Sequence, residues 1–102
     1  MFLLNAFSLS MLTLPASAQF TEVSAAEAAE MARSLTSAVG HADTAGLFAT
    51  LLGQDVPVNR VSVSLHPGQV ALVGQYIGPR LQEGATTLPE GARVAWVKVE
   101  VT

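Results

Sequence analysis

The stretch VALVGQYI, Val70 to Ile77, decides the fold. It is an almost unbroken apolar run between the tight turn His66-Pro67-Gly68-Gln69 and the breaker Gly78-Pro79, and this predicts a central strand buried on both faces. Gln75 is the polar anomaly within it. Upstream, Arg60 to Leu65 alternates polar and apolar residues, which predicts a strand with Val61, Val63 and Leu65 pointing inward together. Downstream, Arg93 to Val101 predicts the last strand, with Val97, Val99 and Val101 on one side and Lys98 and Glu100 on the other, as in an outer strand.

The amino-terminal half supplies the helices. Ser24-Ala25-Ala26-Glu27 is a capping box, and Ala25 to about Leu35 follows with Ala28, Met31, Ala32 and Leu35 on one apolar stripe. A second helix is expected from about Ala42 to Leu52, its apolar series Ala45, Phe48, Leu51 and Leu52 ending at Gly53. Phe2 to Phe7 reads as a buried first strand whose polar residues Asn5 and Ser8 emerge at its carboxyl end. The segment from Pro15 to Val23 reads as loop or edge, Gln54 to Asn59 as a connector, and Thr87 to Glu90 as a single helical turn. The order β, α, α, β, β, β predicts an α/β fold, one compact domain over residues 1–102, with a mixed sheet of about five strands and two main helices packed on it.

Composition narrows the function. Half of the 102 residues are hydrophobic and only 13% are charged, so the polar coat is thin and a homodimer with two-fold symmetry is expected. The net charge is -3, and Arg33, Arg60, Arg80, Arg93 and Lys98 are scattered, which argues against coating long nucleic acid. A small anionic ligand is compatible with it. Cysteine is absent, excluding disulfides, thiolate nucleophiles and cysteine-bound zinc. His41 and His66 lack a metal-ligand spacing, so no protein-bound metal and no cofactor are expected. The opening run to Ala16-Ser17-Ala18 imitates a secretory signal. No Lys or Arg precedes Arg33, however, and Asn5, Ser8 and Ser10 interrupt the run, so a buried strand is preferred, with no membrane span and a cytoplasmic location.

Chemistry-bearing residues recur at the ends of apolar elements. His41 follows Gly40 at a helix start, where unpaired N–H groups and the helix dipole suit an anion. Asp43 in the same first turn is read as complementing the dipole, and His66 as an exposed turn residue. Asn5, Ser8, Gln75, Arg80 and Glu83 complete the set, each with a plain structural explanation when taken alone: strand capping, a buried backbone partner, a surface ion pair. P-loop, GxGxxG and GxSxG motifs are absent.

The blocks Phe2-Leu3-Leu4-Asn5-Ala6-Phe7-Ser8-Leu9-Ser10-Met11-Leu12, Ser37-Ala38-Val39-Gly40-His41-Ala42-Asp43-Thr44-Ala45, Pro57-Val58-Asn59-Arg60 and Arg80-Leu81-Gln82-Glu83-Gly84 together resemble the small ring nucleases of type III CRISPR biology. That family includes archaeal-virus and phage anti-CRISPR proteins and bacterial members. The resemblance implies a homodimer that binds cyclic tetra-adenylate across its two-fold axis and cuts it, without metal, to linear di-adenylate ending in a 2′,3′-cyclic phosphate. It implies His41 as general acid, Arg80 as the group stabilising phosphate charge, and Glu83 as the residue orienting Arg80 or the imidazole. Asn5, Ser8 and Gln75 fall on ligand-contacting positions. Gly78-Pro79 lengthens the spacing between Gln75 and Arg80 relative to the viral members. The alternative is a non-catalytic dimer that binds a nucleotide or nucleic acid through the same helix start.

Overall fold

The computed structural model describes residues 1–102. Five strands, β1 (Phe2–Leu4), β2 (Ala18–Val23), β3 (Thr36–Ser37), β4 (Val70–Ile77) and β5 (Arg93–Val101), form one mixed sheet. Two helices, α1 (Ala25–Ala32) and α2 (Ala42–Leu52), complete the α/β domain, with a short 3-10 turn at Leu9–Met11. The strand order is β2-β5-β4-β1-β3. β1 is parallel to both β3 and β4, and β5 is antiparallel to both β2 and β4.

β4 is central and covered on both sides, by two different kinds of layer. On one side Leu3, Leu72 and Trp96 meet Ala28 and Ala32 of α1 and Ala45, Phe48 and Leu52 of α2. On the other, Leu4, Ala71, Val73, Val99 and Val101 are covered by Val63 and Leu65, with Phe7, Met11 and Leu12 at the margin. The second cover is irregular chain, and it leaves part of that face open.

The helices form where capping and periodicity put them. Ser24 Oγ accepts from the Glu27 N–H at 3.1 Å and donates to Glu27 Oε1 at 3.5 Å. α1 ends at Ala32 rather than Leu35 because the next bonds, Ser34 to Met31 and Leu35 to Ala32, are the tighter three-residue kind. Leu35 still packs against the helical core. α2 stops at Gly53, whose φ of 66° is the left-handed conformation that closes a helix.

Several expectations are corrected. The first strand is β1 alone and does not reach Phe7, so Asn5 and Ser8 lie in the chain that follows it. Arg60–Leu65 forms no strand: Val63 and Leu65 are buried, Val61 is exposed, and the segment is held by isolated bonds such as Leu65 N–H to the Met11 carbonyl at 2.7 Å. Alternation reports one buried side, which an extended segment laid across a sheet satisfies as well as a strand within it. Of the two readings of the segment before Val23, loop or edge, the edge is the outcome: it forms edge strand β2, which displaces β5 from that position. Lys98 and Glu100 lie on the helical side of β5, half exposed, and pair with each other at 3.0 Å. Thr87–Glu90 forms no helical turn. β3, only two residues long, is recruited by parallel pairing with β1.

β1 is an interior strand, hydrogen-bonded on both edges. A chain starting at Gln19 is therefore expected to lose its cooperative thermal transition in circular dichroism, since β3 and β4 would no longer be bridged. A native-like melt of that truncated chain would contradict this topology. No helix of the chain is long and apolar enough to cross a membrane.

Candidate functional site

Because β1, β3 and β4 are parallel, their carboxyl ends share one end of the sheet. Asn5 follows β1, Gly40 and His41 follow β3, and Arg80 follows β4. In sheets of this kind ligands are received outside the carboxyl ends of the parallel strands.

The approach from β3 to α2 is built by a small polar network. Ser37 is the one buried polar side chain; its Oγ donates to the Pro57 carbonyl at 2.7 Å and accepts from the Val39 N–H at 3.3 Å. Asn59 Nδ2 donates to the Ser37 carbonyl at 2.7 Å, and its N–H to the Val39 carbonyl at 2.8 Å. These bonds staple the connector beside the chain leading into α2. They bring the Arg60 stem over Gly40, where an added Cβ would sit 3.5 Å from Arg60 Cβ.

His41 is the N-cap of α2, with φ -124° and ψ 131°. A Ser, Thr, Asp or Asn there would fold back onto a first-turn N–H. His41 makes no such bond, so its exposed imidazole is free and the first-turn N–H groups carry no side-chain cap. Asn5, Met11, Gly40, His41, Arg60 and Val63 are among the residues lining one open depression of about 290 Å³.

Of the sequence-derived candidates, this depression unites Asn5 and His41. Ser8 is exposed and caps the following 3-10 turn, its Oγ accepting from the Ser10 N–H at 3.3 Å. Gln75 is on the open side of the sheet, in a shallow groove of about 240 Å³ with Phe7, Phe20, Val73, Val97 and Val99. Its Nε2 donates to the Tyr76 carbonyl at 3.1 Å. Arg80 and Glu83 are exposed on the β4–β5 loop, and Arg80 lines a separate hollow of about 360 Å³ with Gln82, Thr87 and Leu88. The loop is tied to the start of α2, however, by the Gly84 N–H donating to Asp43 Oδ1 at 3.0 Å.

The ion pairs sharpen the electrostatics. Arg33 pairs with Glu30, Arg93 with Glu22 and Lys98 with Glu100. Of the five Arg and Lys side chains, Arg60 and Arg80 are the two without a carboxylate partner: Arg80 follows β4 at the carboxyl end of the sheet, and Arg60 lies against Gly40, after β3, in the depression that also holds His41. Glu83 pairs with neither Arg80 nor His41. Arg60 is the residue that sequence reasoning missed as a site member. Its signal was its position directly after Pro57-Val58-Asn59, but only the Ser37–Asn59 network carries it to His41.

Residues 1–93 match the family model described as STIV B116-like. No curated protein matches the chain. Among solved structures, B116 of Sulfolobus turreted icosahedral virus is similar at 30% sequence identity and a TM-score of 0.81, over 97% of each chain. With nearly its whole length accounted for, the chain belongs to the STIV B116-like family, the archaeal-virus family that its LLNAFS and VGHADTA blocks resemble.

Proposed function

We propose that the protein is a ring nuclease that binds cyclic tetra-adenylate across a two-fold dimer and cleaves it, without metal, to linear di-adenylate, switching off type III CRISPR signalling. One observation carries the reading: the free imidazole of His41 shares the carboxyl end of the sheet with the two unpaired arginines, Arg60 and Arg80. A ribose 2′-OH attacks its own 3′-phosphorus, the P–O2′ bond forms as the P–O5′ bond breaks, and the 2′ proton leaves to solvent. His41 donates the proton that the departing 5′ oxygen needs. Arg60 and Arg80 hold the phosphate oxygens, while Asn5, Ser8 and Gln75 hold the ribose and backbone in line. Glu83 orients Arg80 or the imidazole once ligand closes the gap between them.

Two features support the dimer. The open side of the sheet exposes Phe20 at 55% and Ile77 at 42%, beside the edge-to-face pair Phe7–Phe20 at 5.4 Å. Gln75 is on that side at the end of β4, so a second copy packed there would bring both Gln75 side chains toward the two-fold axis. A cyclic ligand with matching symmetry then meets equivalent groups from each copy, and two cuts give two di-adenylates.

The test is purified protein, verified as a dimer by light scattering, incubated with cyclic tetra-adenylate with and without chelator and followed by chromatography and mass spectrometry. Di-adenylate with a 2′,3′-cyclic phosphate, formed equally in both samples, is the expected product. An intact ring after prolonged incubation would sink the proposal. Arg60→Ala is expected to weaken ring binding by about ten- to a hundredfold, the worth of a charge-assisted contact. Isothermal titration at two salt concentrations checks this; an unchanged affinity would remove Arg60 from the site.

A further inference from the structure

We propose that Asp43 is a positioning residue whose carboxylate latches the β4–β5 loop onto the start of α2, holding Arg80 and Glu83 beside the His41 depression. The inference rests, for its catalytic consequence, on the cyclic tetra-adenylate reading. Its structural basis is independent of that reading. The loop from Gly78 to Ala92 is otherwise closed on itself: Ala85 N–H bonds the Gln82 carbonyl, Ala92 N–H the Pro89 carbonyl, and the Tyr76 hydroxyl the Pro79 carbonyl. The hydrogen bond that ties it to a distant part of the chain is Gly84 N–H to Asp43 Oδ1 at 3.0 Å.

Two details make this contact specific. Asp43 is half buried in the first turn of α2, where the helix dipole favours a negative oxygen. One turn further on, Gly46 presents no side chain, and a Cβ there would stand 3.4 Å from Thr86 Cγ2, so the loop settles closely on the helix. Asp43 and Gly46 thus form a two-point seat for residues 84–86. Glu83 immediately precedes the seat, and Arg80 lies within the same loop.

A charge at a helix start and a hydrogen bond to a loop predict different outcomes for two substitutions. Asp43→Asn removes the charge but keeps an oxygen that accepts from Gly84; Asp43→Ala removes both. With the latch, Asp43→Ala speeds amide exchange at Gly84 by about tenfold and quickens tryptic cleavage after Arg80, while Asp43→Asn stays near wild type in both. In cleavage of cyclic tetra-adenylate, Asp43→Ala lowers kcat by about ten- to a hundredfold, and Asp43→Asn restores most of it.

The proposal is overturned if Asp43→Ala leaves Gly84 exchange and Arg80 cleavage unchanged, or if Asp43→Asn behaves like Asp43→Ala, which would make Asp43 a dipole partner only. Should Asp43→Ala fail to fold, exchange in wild type and Asp43→Asn decides: a Gly84 amide as fast as that of exposed Glu83 in both defeats the latch. If the wild-type protein leaves the ring intact, the functional reading fails and the exchange and proteolysis results still judge the latch.

Discussion

His41→Ala is expected to slow cleavage of cyclic tetra-adenylate by about 10²- to 10⁴-fold, the usual contribution of a positioned general acid. The magnitude follows from the leaving group: an alkoxide expelled without a proton is a poor one, and no other imidazole lines the depression. Ring binding should survive within a few-fold, because Asn5 and Arg60 still line the same surface and the first-turn N–H groups are untouched. Stability should change little, since His41 makes no capping bond to α2 that alanine could remove. Single-turnover kinetics, direct binding and a thermal melt on the same preparation separate these three effects. Wild-type cleavage by the variant would end the assignment of His41 as acid. A protein that binds the ring yet never cuts it, with or without His41, would leave the binding-module reading in its place.

Among single substitutions, the largest expected loss of stability is at the far side of the same helix. Phe48→Ala should cost about 3–5 kcal/mol, since Phe48 is fully buried and its ring meets Trp96 edge-on with centroids 4.9 Å apart. In a domain of this size that lowers the melting temperature by roughly 15 °C or more. Gly74 is the reason the two rings fit: a Cβ there would come within 2.5 Å of Phe48 Cζ and 2.6 Å of Trp96 Cζ3. Gly74→Ala should therefore overpack the core and cost about 1–3 kcal/mol. The double variant should lose less than the sum, because the methyl at position 74 then enters the space that Phe48 vacated. Denaturant titrations of the four proteins give the coupling directly, and strict additivity would mean that Gly74 and Phe48 do not share one space.

The core logic of this pair was half legible. Phe48 stands out in the periodicity of α2, and the apolar run of β4 announces a buried strand. The glycine inside that run carries no sequence signal that it faces an aromatic pair; β4–β5 pairing sets Gly74 opposite Trp96. The outer position of β5 was misjudged for a related reason. Lys98 and Glu100 look like the wet side of an edge strand, yet they lie on the helical side of an interior one. Polarity along a strand reports local exposure, and exposure depends on how far the covering layer extends.

The candidate site divides in the same way. His41, Asn5 and the Arg80–Glu83 loop were visible as polar residues at the ends of apolar elements. Arg60 was not, because its segment reads as a half-buried strand. Asp43 had a sufficient local explanation in the helix dipole, and nothing nearby in the chain points to Gly84.

What the sequence by itself determined is what neighbouring residues enforce: the Ser24–Glu27 cap, the span of α2 from Ala42 to the left-handed Gly53, and β4 as a strand buried on both sides. These depend on periodicity, caps and φ preferences that act within a turn or a strand. Only the tertiary structure decided the strand order, the recruitment of β2 and β3 and the departure of residues 60–65 from the ladder. It alone joined Ser37 to Asn59, and through them Arg60 to Gly40, and Asp43 to Gly84. Those contacts join residues about twenty to forty positions apart, and a carboxylate or a guanidinium looks the same in sequence whatever partner the fold brings to it.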